Sequence, residues 1–157
     1  MSDQPYQKAP SDLFVNERKA KVSLMNGSNI LFMARVCYQY TGQTPQFSKF
    51  MVIAPGEWVT AFDPITYWTG VGTSGQIQWK IQGIRLEESH SDNDLTIKYN
   101  GKAYTHGGLM QTNGGAWMTH NLWAGDEGRW IELTLGQPNG RISSPVIGSE
   151  DWPFTDA

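Results

Sequence analysis

The amino-acid sequence predicts an all-β fold, a single-domain β-sandwich with one or two short helical turns. Apolar and polar residues alternate over many short runs, and glycine, proline and asparagine separate the runs. The 157 residues include 17 glycines, 7 tryptophans, 6 tyrosines and 6 phenylalanines, and only 17% are charged. This composition excludes a disordered segment and a coiled coil, and the length supports one hydrophobic core.

The first 19 residues are polar and contain Pro5 and Pro10. We predict that residues 1–19 form an N-terminal arm, in which Ser11 caps one helical turn that extends through Arg18. The β-sandwich domain is predicted to span residues 20–136. The remaining residues, 137–157, contain three prolines and have no apolar period, so they are predicted to be an irregular C-terminal tail.

The alternation begins with Val22 and Leu24 on one face and continues from Ile30 to Tyr40. Asn26-Gly27 joins these two strands, either as a tight hairpin or as a longer loop. A second pair, Asn100-Gly101, predicts a tight hairpin between its flanking strands. The other predicted strands are Phe47–Ile53, Glu57–Phe62, Gln76–Ile81, Leu95–Tyr99, Ala103–His106, Ala116–Leu122 and Arg129–Leu135. The predicted breaks include Asp63-Pro64 and the glycine-rich segment from Gly70 to Gly75.

The net charge, the cysteine count and the lack of targeting signals bear on the partners and the location of the protein. The net charge of −3 offers no electrostatic attraction for a polyanion, so nucleic acid is not an expected partner. The lone Cys37 cannot form an intramolecular disulfide and fits a reducing compartment. No signal peptide or membrane-spanning run is recognisable. We therefore expect a cytoplasmic protein, or one that is secreted without a signal peptide.

No motif predicts catalysis, a cofactor or a metal site. Gly70, Gly72 and Gly75 match a dinucleotide-binding spacing, but an alternating strand pattern follows them where that motif requires a helix. The three histidines do not have zinc-site spacing, and Asp92-Asn93-Asp94 lacks the rest of a calcium loop. The carboxylate pairs Glu87-Glu88 and Asp126-Glu127 lie beside turns, where charges are ordinarily exposed. We expect a non-enzymatic protein without cofactor or metal.

The aromatic residues fall into two groups. Trp79 lies within a regular strand and shares a face with Ile77 and Ile81, which predicts a place in the core. The second group lies beside turns and consists of Trp58, Tyr67, Trp68, Trp117, Trp123 and Trp130. An indole at a loop tip suits a sugar face or a lipid headgroup layer. The alternative is that these rings cover the open ends of the sandwich.

The order of several short segments resembles a known family. Ile53-Ala54-Pro55-Gly56-Glu57, then Tyr67-Trp68-Thr69-Gly70, then Thr73-Ser74-Gly75 and the strand with Trp79 are similar to segments of the small "up-regulated in daf" domain proteins of fungi and nematodes. The segment from Trp117 and His120 to Asp126-Glu127 and Trp130 also resembles that family. The resemblance covers residues 20–136.

A more distant resemblance connects the chain to actinoporins and to fungal fruit-body lectins, which share one β-sandwich. The first group implies lipid binding and a relation to cytolysins, and the second implies carbohydrate binding. The lectins carry a serine where this chain has Val71, a departure that argues against sugar binding in the lectin mode. The residues before Ala20 offer only Leu13, Phe14 and Val15 as an apolar group, too few for the membrane-inserting helix of a pore.

The loop aromatics and the resemblance together give a set of candidate ligand-binding residues. They are Trp58, Tyr67, Trp68, Gly72, Thr73, Ser74, Trp117, His120 and Trp123. Our first hypothesis is an actinoporin-like protein that recognises a lipid headgroup or membrane surface through these aromatics. A lectin-type module that uses Trp68 and the Gly72–Gly75 loop is the second hypothesis. The third is a self-assembling structural protein whose aromatics form a homo-oligomer interface.

Overall fold

A computed structural model describes residues 15–40, 42–70, 76–90 and 96–156. These residues form twelve strands and two short 3-10 helices, at Asn113–Gly115 and Ala124–Asp126. The predicted all-β class is confirmed. The strands are β1 (Val15–Asn26), β2 (Phe32–Tyr40), β3 (Gln46–Phe47), β4 (Met51–Ile53), β5 (Trp58–Gly70), β6 (Ile77–Glu88), β7 (Ile97–Tyr99), β8 (Lys102–Thr112), β9 (Met118–Thr119), β10 (Trp130–Leu135), β11 (Asn139–Ser144) and β12 (Gly148–Asp156).

Hydrogen bonds connect the strands in the order β3-β2-β6-β8-β12-β11-β10-β1-β5, and β4, β7 and β9 pair with β2, β8 and β6. Strand β12 links two layers, because Gly148–Pro153 pairs with β11 and Phe154–Asp156 pairs with β8. We call β5, β1, β10, β11 and the first part of β12 the front sheet. The back sheet consists of the end of β12 with β8, β6 and β2 and their short partners.

The two sheets pack face to face through alternating inward side chains. Tyr38 of the back sheet meets Phe62 of the front sheet edge-to-face, with ring centroids 4.9 Å apart. The predicted core position of Trp79 is confirmed, since its ring is fully buried and its Nε1 donates a 2.9 Å hydrogen bond to the His120 carbonyl oxygen. Both layers of the sandwich therefore share one core.

The register of the front sheet decides which residues face outward. In β1, Val22 and Leu24 are buried, which confirms the predicted alternation, so Lys21, Ser23 and Met25 lie on the outer face. The neighbouring β10 runs parallel to β1 and places Trp130, Glu132 and Thr134 directly beside these three residues. On the other side, β5 places Trp58 beside Met25. The outer face of the front sheet thus carries an exposed aromatic surface.

The two predicted Asn-Gly turns differ in the structure. The Asn100-Gly101 hairpin is confirmed, because Tyr99 pairs with Lys102 and both turn residues have positive φ, at 51° and 76°. The Asn26-Gly27 segment is the longer of the two alternatives, a loop that connects the two sheets. The buried Asn26 amide organises this loop, since its Nδ2 donates to the carbonyl oxygens of Ile30 at 2.7 Å and Ile53 at 2.8 Å.

The predicted boundaries at both ends of the domain are wrong. Strand β1 already includes residues 15–19, where a polar arm and a helical turn through Arg18 were predicted. These residues pair with the end of β5, and Arg18 Nε donates to Thr69 Oγ1 at 2.7 Å. The residues predicted as an irregular tail, 137–157, contain β11 and β12. In β11 two of the inward positions are Gly140 and Ser144, which carry no apolar signal.

Several internal strands also differ from the predictions. Strand β5 continues through Asp63-Pro64, where a break was predicted, because a bulge in its pairing with β1 accommodates the extra residues. The predicted strand at Phe47–Ile53 is divided into β3 and β4, and Ala116–Leu122 contains only the two-residue β9. Strands β6 and β8 are longer than predicted. Most of the glycine-rich segment, residues 71–75, lies outside the described residues.

Candidate functional site

The nine predicted ligand-binding residues do not form one site. Gly72, Thr73 and Ser74 lie outside the described residues. The other six fall into five environments: the core, a pocket beside β2, the outer face of the back sheet, and two separate exposed surfaces. Tyr67 and His120 lie in the core, Trp68 lines the pocket, and Trp117 lies on the outer face of the back sheet. Trp58 and Trp123 each belong to one of the exposed surfaces.

Tyr67 and His120 are buried and offer no ring face to a ligand. Tyr67 is 1% exposed, and its hydroxyl donates to the Trp123 carbonyl oxygen at 2.8 Å. Burial, together with the nearby carboxylate of Asp126, raises the Tyr67 pKa to about 12. Tyr67 therefore supports the loop that carries Trp123.

His120 bridges two side chains of the front sheet. Its Nδ1 lies 2.9 Å from Glu150 Oε1, and its Nε2 lies 2.8 Å from Ser144 Oγ. The three groups follow the order of a hydrolase triad. However, Ser144 is only 4% exposed within a regular strand, so a substrate carbonyl cannot reach its hydroxyl. The arrangement gives hydrogen-bond partners to the buried His120 ring and Ser144 hydroxyl, whereas the Glu150 side chain is 42% exposed.

Trp68 lines a pocket of about 270 Å³ beside the end of β2. Its ring meets that of Tyr40 edge-to-face at 5.1 Å, and the Tyr40 hydroxyl donates to the Trp68 carbonyl oxygen. The predicted lectin site combines Trp68 with the Gly72–Gly75 loop, most of which is outside the described residues. That site stays a prediction.

Trp117 lies on the outer face of the back sheet under a lysine. Lys80 Nζ is 4.3 Å from the indole centroid and also donates to the Gly115 carbonyl oxygen at 2.9 Å. This cation–π contact occupies one face of the ring, so Trp117 offers less free aromatic surface than an unpartnered indole.

Trp58 is exposed on the outer face of the front sheet, where it forms an aromatic pair. Its ring meets that of Trp130 at 5.7 Å with an interplanar angle of 73°. A groove of about 320 Å³ lies against the pair and is also lined by Ser23, Met25, Glu132 and Thr134. We call this the front groove.

Trp123 belongs to a separate exposed surface beside the first half of β1. It is 56% exposed, and the hairpin between β11 and β12 adds Val146 and Ile147, which are 49% and 48% exposed. We call these three residues the apolar end. The loop that carries Trp123 is bonded to β1 through a hydrogen bond from the Gly128 N–H to the carbonyl oxygen of Lys19, in the first half of the strand.

A buried carboxylate holds the two parts of the apolar end together. Asp126 is fully buried, and its Oδ2 accepts a hydrogen bond from the Trp123 N–H at 2.8 Å. Its Oδ1 accepts from the Val146 N–H at 3.0 Å. Gly125 permits the close approach, because a Cβ there would lie 2.8 Å from Val146 Cγ2. One side chain thus clamps the loop to the hairpin.

The charges around the apolar end are mostly paired. Arg18 Nη1 lies 2.7 Å from Glu127 Oε1, whereas the 2.9 Å contact of Glu150 Oε1 with His120 Nδ1 is an ion pair only when the imidazole is protonated. Arg129 is exposed. The surface beside the three apolar side chains is therefore close to neutral.

The sequence did not identify several residues of these two surfaces. Val146 and Ile147 lie in the segment predicted to be an irregular tail. Asp126 was expected to be exposed beside a turn, which is wrong, since it is fully buried. Trp130 was recognised as a loop aromatic, but its pairing with Trp58 depends on strand order. A signal for strand β12 exists in the alternation of Trp152 and Phe154 with Asp151, Pro153 and Thr155.

These features define a single-domain all-β protein with a fully buried aromatic core and two separate exposed apolar surfaces. A family model described as "Up-Regulated in long-lived daf-2" matches residues 16–126, more than two thirds of the chain. The chain belongs to this family, which confirms the predicted resemblance. No curated protein matches it. Within the described ranges, no helix has the length and apolar character needed to cross a membrane.

Proposed function

We propose that this is a non-enzymatic binding protein that attaches to the surface of a zwitterionic lipid bilayer through the apolar end. The observation that carries the proposal is the clamp at Asp126, which holds Trp123, Val146 and Ile147 together while about half of each side chain is exposed. Tryptophan and branched aliphatic side chains are favoured in the interfacial layer of a bilayer.

The size of the apolar end favours a bilayer over a protein partner. A whole aromatic side chain has about 150–250 Å² of surface, so three half-exposed side chains offer on the order of 300 Å². A stable protein interface buries about 800 Å² on each partner. Residues at a hairpin tip also project outward, which suits shallow insertion between headgroups. A bilayer needs no matching surface, and a protein partner does.

The charge of the protein indicates which lipids would be preferred. The net charge is −3, and at the apolar end Arg18 is already paired with Glu127. Attraction to anionic lipids comes from clusters of free lysine and arginine side chains, each worth about 1 kcal/mol near the surface. Among the described residues near this end, the exposed Arg129 and Lys19, whose Nζ lies 3.7 Å from Glu17 Oε2, are too few to form such a cluster. Zwitterionic headgroups are therefore the expected surface.

The clamp also reduces the conformational entropy that would be lost on binding. Because the Asp126 carboxylate already fixes the loop and the hairpin, inserting the apolar end orders few additional groups. The predicted lipid role rests on this geometry and on the distant resemblance to actinoporins, a relation that stays a prediction.

A vesicle flotation assay with phosphatidylcholine tests the proposal. Trp123→Ala is expected to lower the partition coefficient roughly thirtyfold, since about 2 kcal/mol of apolar burial is lost. The double variant Val146→Ser/Ile147→Ser should reduce it similarly. The matched controls are Trp58→Ala and Phe47→Ser, which remove residues of equal exposure from other surfaces, 59% and 51%.

Two results would contradict membrane attachment through this end. One is a wild-type protein that floats with no vesicle, and the other is an equal loss in Trp123→Ala and Trp58→Ala. Light scattering of the same samples measures the oligomeric state and so tests the self-assembly alternative. A concentration-dependent oligomer that Trp123→Ala dissolves would assign the apolar end to a homo-oligomer interface instead.

A further inference from the structure

We propose that the front groove is a binding site for a neutral oligosaccharide. The groove is independent of the apolar end. Trp58 lies beside Met25 near the end of β1, whereas the Trp123 loop is bonded to Lys19 in the first half of the strand, six residues earlier. The proposal therefore does not depend on membrane attachment.

The walls of the groove provide a stacking surface. The Trp58 and Trp130 rings lean together over Ser23, a small residue between their strand positions that is 7% exposed. Their edge-to-face contact fixes both rings, and Trp58 is still 59% exposed. The apolar C–H face of a sugar ring packs against such an indole face, and a rigid ring loses little entropy on binding.

The charged groups of the groove favour a neutral ligand. Lys21 Nζ lies 5.5 Å from the Trp130 ring centroid, so it repels a cation that would approach this ring. Glu132 is exposed and lies beside Ser23, and among the described residues none forms a hydrogen bond or ion pair with its side-chain carboxylate. A carboxylate in this position repels an anion. Together the ammonium and the carboxylate can donate to and accept from sugar hydroxyl groups.

The groove is long enough for more than one sugar ring. A second depression of about 390 Å³ shares Met25 and Thr134 with the front groove. It carries Asn139 and the Arg141–Asp151 pair, whose Nε–Oδ1 and Nη2–Oδ2 distances are 2.7 and 3.4 Å. This pair adds one positive and one negative group, so the extended groove stays balanced in charge. Its polar rim suits the hydroxyl groups of a sugar chain.

The test is an array of short neutral oligosaccharides, followed by calorimetry with those that bind. Trp58→Ala should weaken binding by about tenfold to a hundredfold, and Glu132→Gln, which keeps the side-chain shape, by a smaller factor. Because both side chains are exposed, thermal unfolding should show that the variants fold. Trp123→Ala, which removes an equally exposed indole from the apolar end, should bind sugar as the wild type does.

Three results would overturn the inference: no neutral oligosaccharide binds, Trp58→Ala binds as tightly as the wild type, or the array retains only acidic glycans. Choline is the cationic probe in the same calorimetry experiment. Choline binding that Trp58→Ala abolishes, without sugar binding, would make the groove an organic-cation site. Since Trp58→Ala should keep vesicle flotation and Trp123→Ala should keep sugar binding, failure of one proposal is distinguishable from failure of the other.

Discussion

Removal of the Asp126 carboxylate is the most informative perturbation of the apolar end. In Asp126→Ala the partly buried N–H groups of Trp123 and Val146 lose their acceptors at 2.8 and 3.0 Å. A donor left unpaired away from water costs about 1–3 kcal/mol, so the free energy of unfolding should fall by at most about 4 kcal/mol. For a chain of this length that corresponds to a decrease in Tm of roughly 12 °C. Urea and thermal unfolding measure both quantities.

The neighbouring acidic residue provides the control. Glu127 is exposed, and its salt bridge with Arg18 is worth at most about 1 kcal/mol. Glu127→Ala should therefore change the stability little. Asp126→Asn, which keeps one acceptor, should fall between the two. The reasoning would be refuted if Asp126→Ala and Glu127→Ala lowered the free energy of unfolding equally, or if Asp126→Ala lowered it by less than about 1 kcal/mol.

Three further predictions concern the core. Asn26→Asp replaces an amide that donates to two carbonyl oxygens, so the free energy of unfolding measured in urea should fall by several kcal/mol. A variant as stable as the wild type would show that these hydrogen bonds do not stabilise the loop. Trp79→Phe removes a buried indole donor and volume and should cost about 2–4 kcal/mol, whereas the exposed Trp58→Phe should cost almost nothing. Burial raises the pKa of Cys37 from 9.0 to about 11 and of Tyr67 from 10.0 to about 12, so the folded state keeps protons that the unfolded chain releases. The free energy of unfolding should thus fall between pH 9.0 and about 12, and Cys37→Ala should flatten the lower part of this decrease. An unchanged pH profile in Cys37→Ala would contradict the assignment of that part to Cys37.

The fold class was predictable from the sequence because inward and outward residues of a strand alternate, as Val22 and Leu24 do. The Asn100-Gly101 hairpin was predictable because its positive φ angles require those residue types. The alternation was harder to read where the inward residue was small, as at Gly140 in β11. It also failed in residues 16–19, which pair with β5 and are polar on both faces. Local pattern therefore predicted strands, and tertiary pairing set their ends.

The candidate surfaces were only partly predictable. Position beside a turn correctly identified Trp58 and Trp123 as exposed. The same criterion also predicted that Tyr67 is a surface aromatic, but strand pairing places its ring in the core. The partners of the exposed rings, Trp130 and Val146, are distant in sequence and meet them only through the sheet order. A single sequence contains no local signal for such pairings.

Labelling of the hairpin tip tests membrane attachment most directly. Cys37 is the only cysteine, so an environment-sensitive fluorophore can be placed on Ile147→Cys in a Cys37→Ala background. Addition of phosphatidylcholine vesicles should shift this emission to shorter wavelength, as expected for entry into the interfacial layer. The same fluorophore on Phe47→Cys, at a site of similar exposure, should not respond. No shift at position 147, or equal shifts at both positions, would contradict the account.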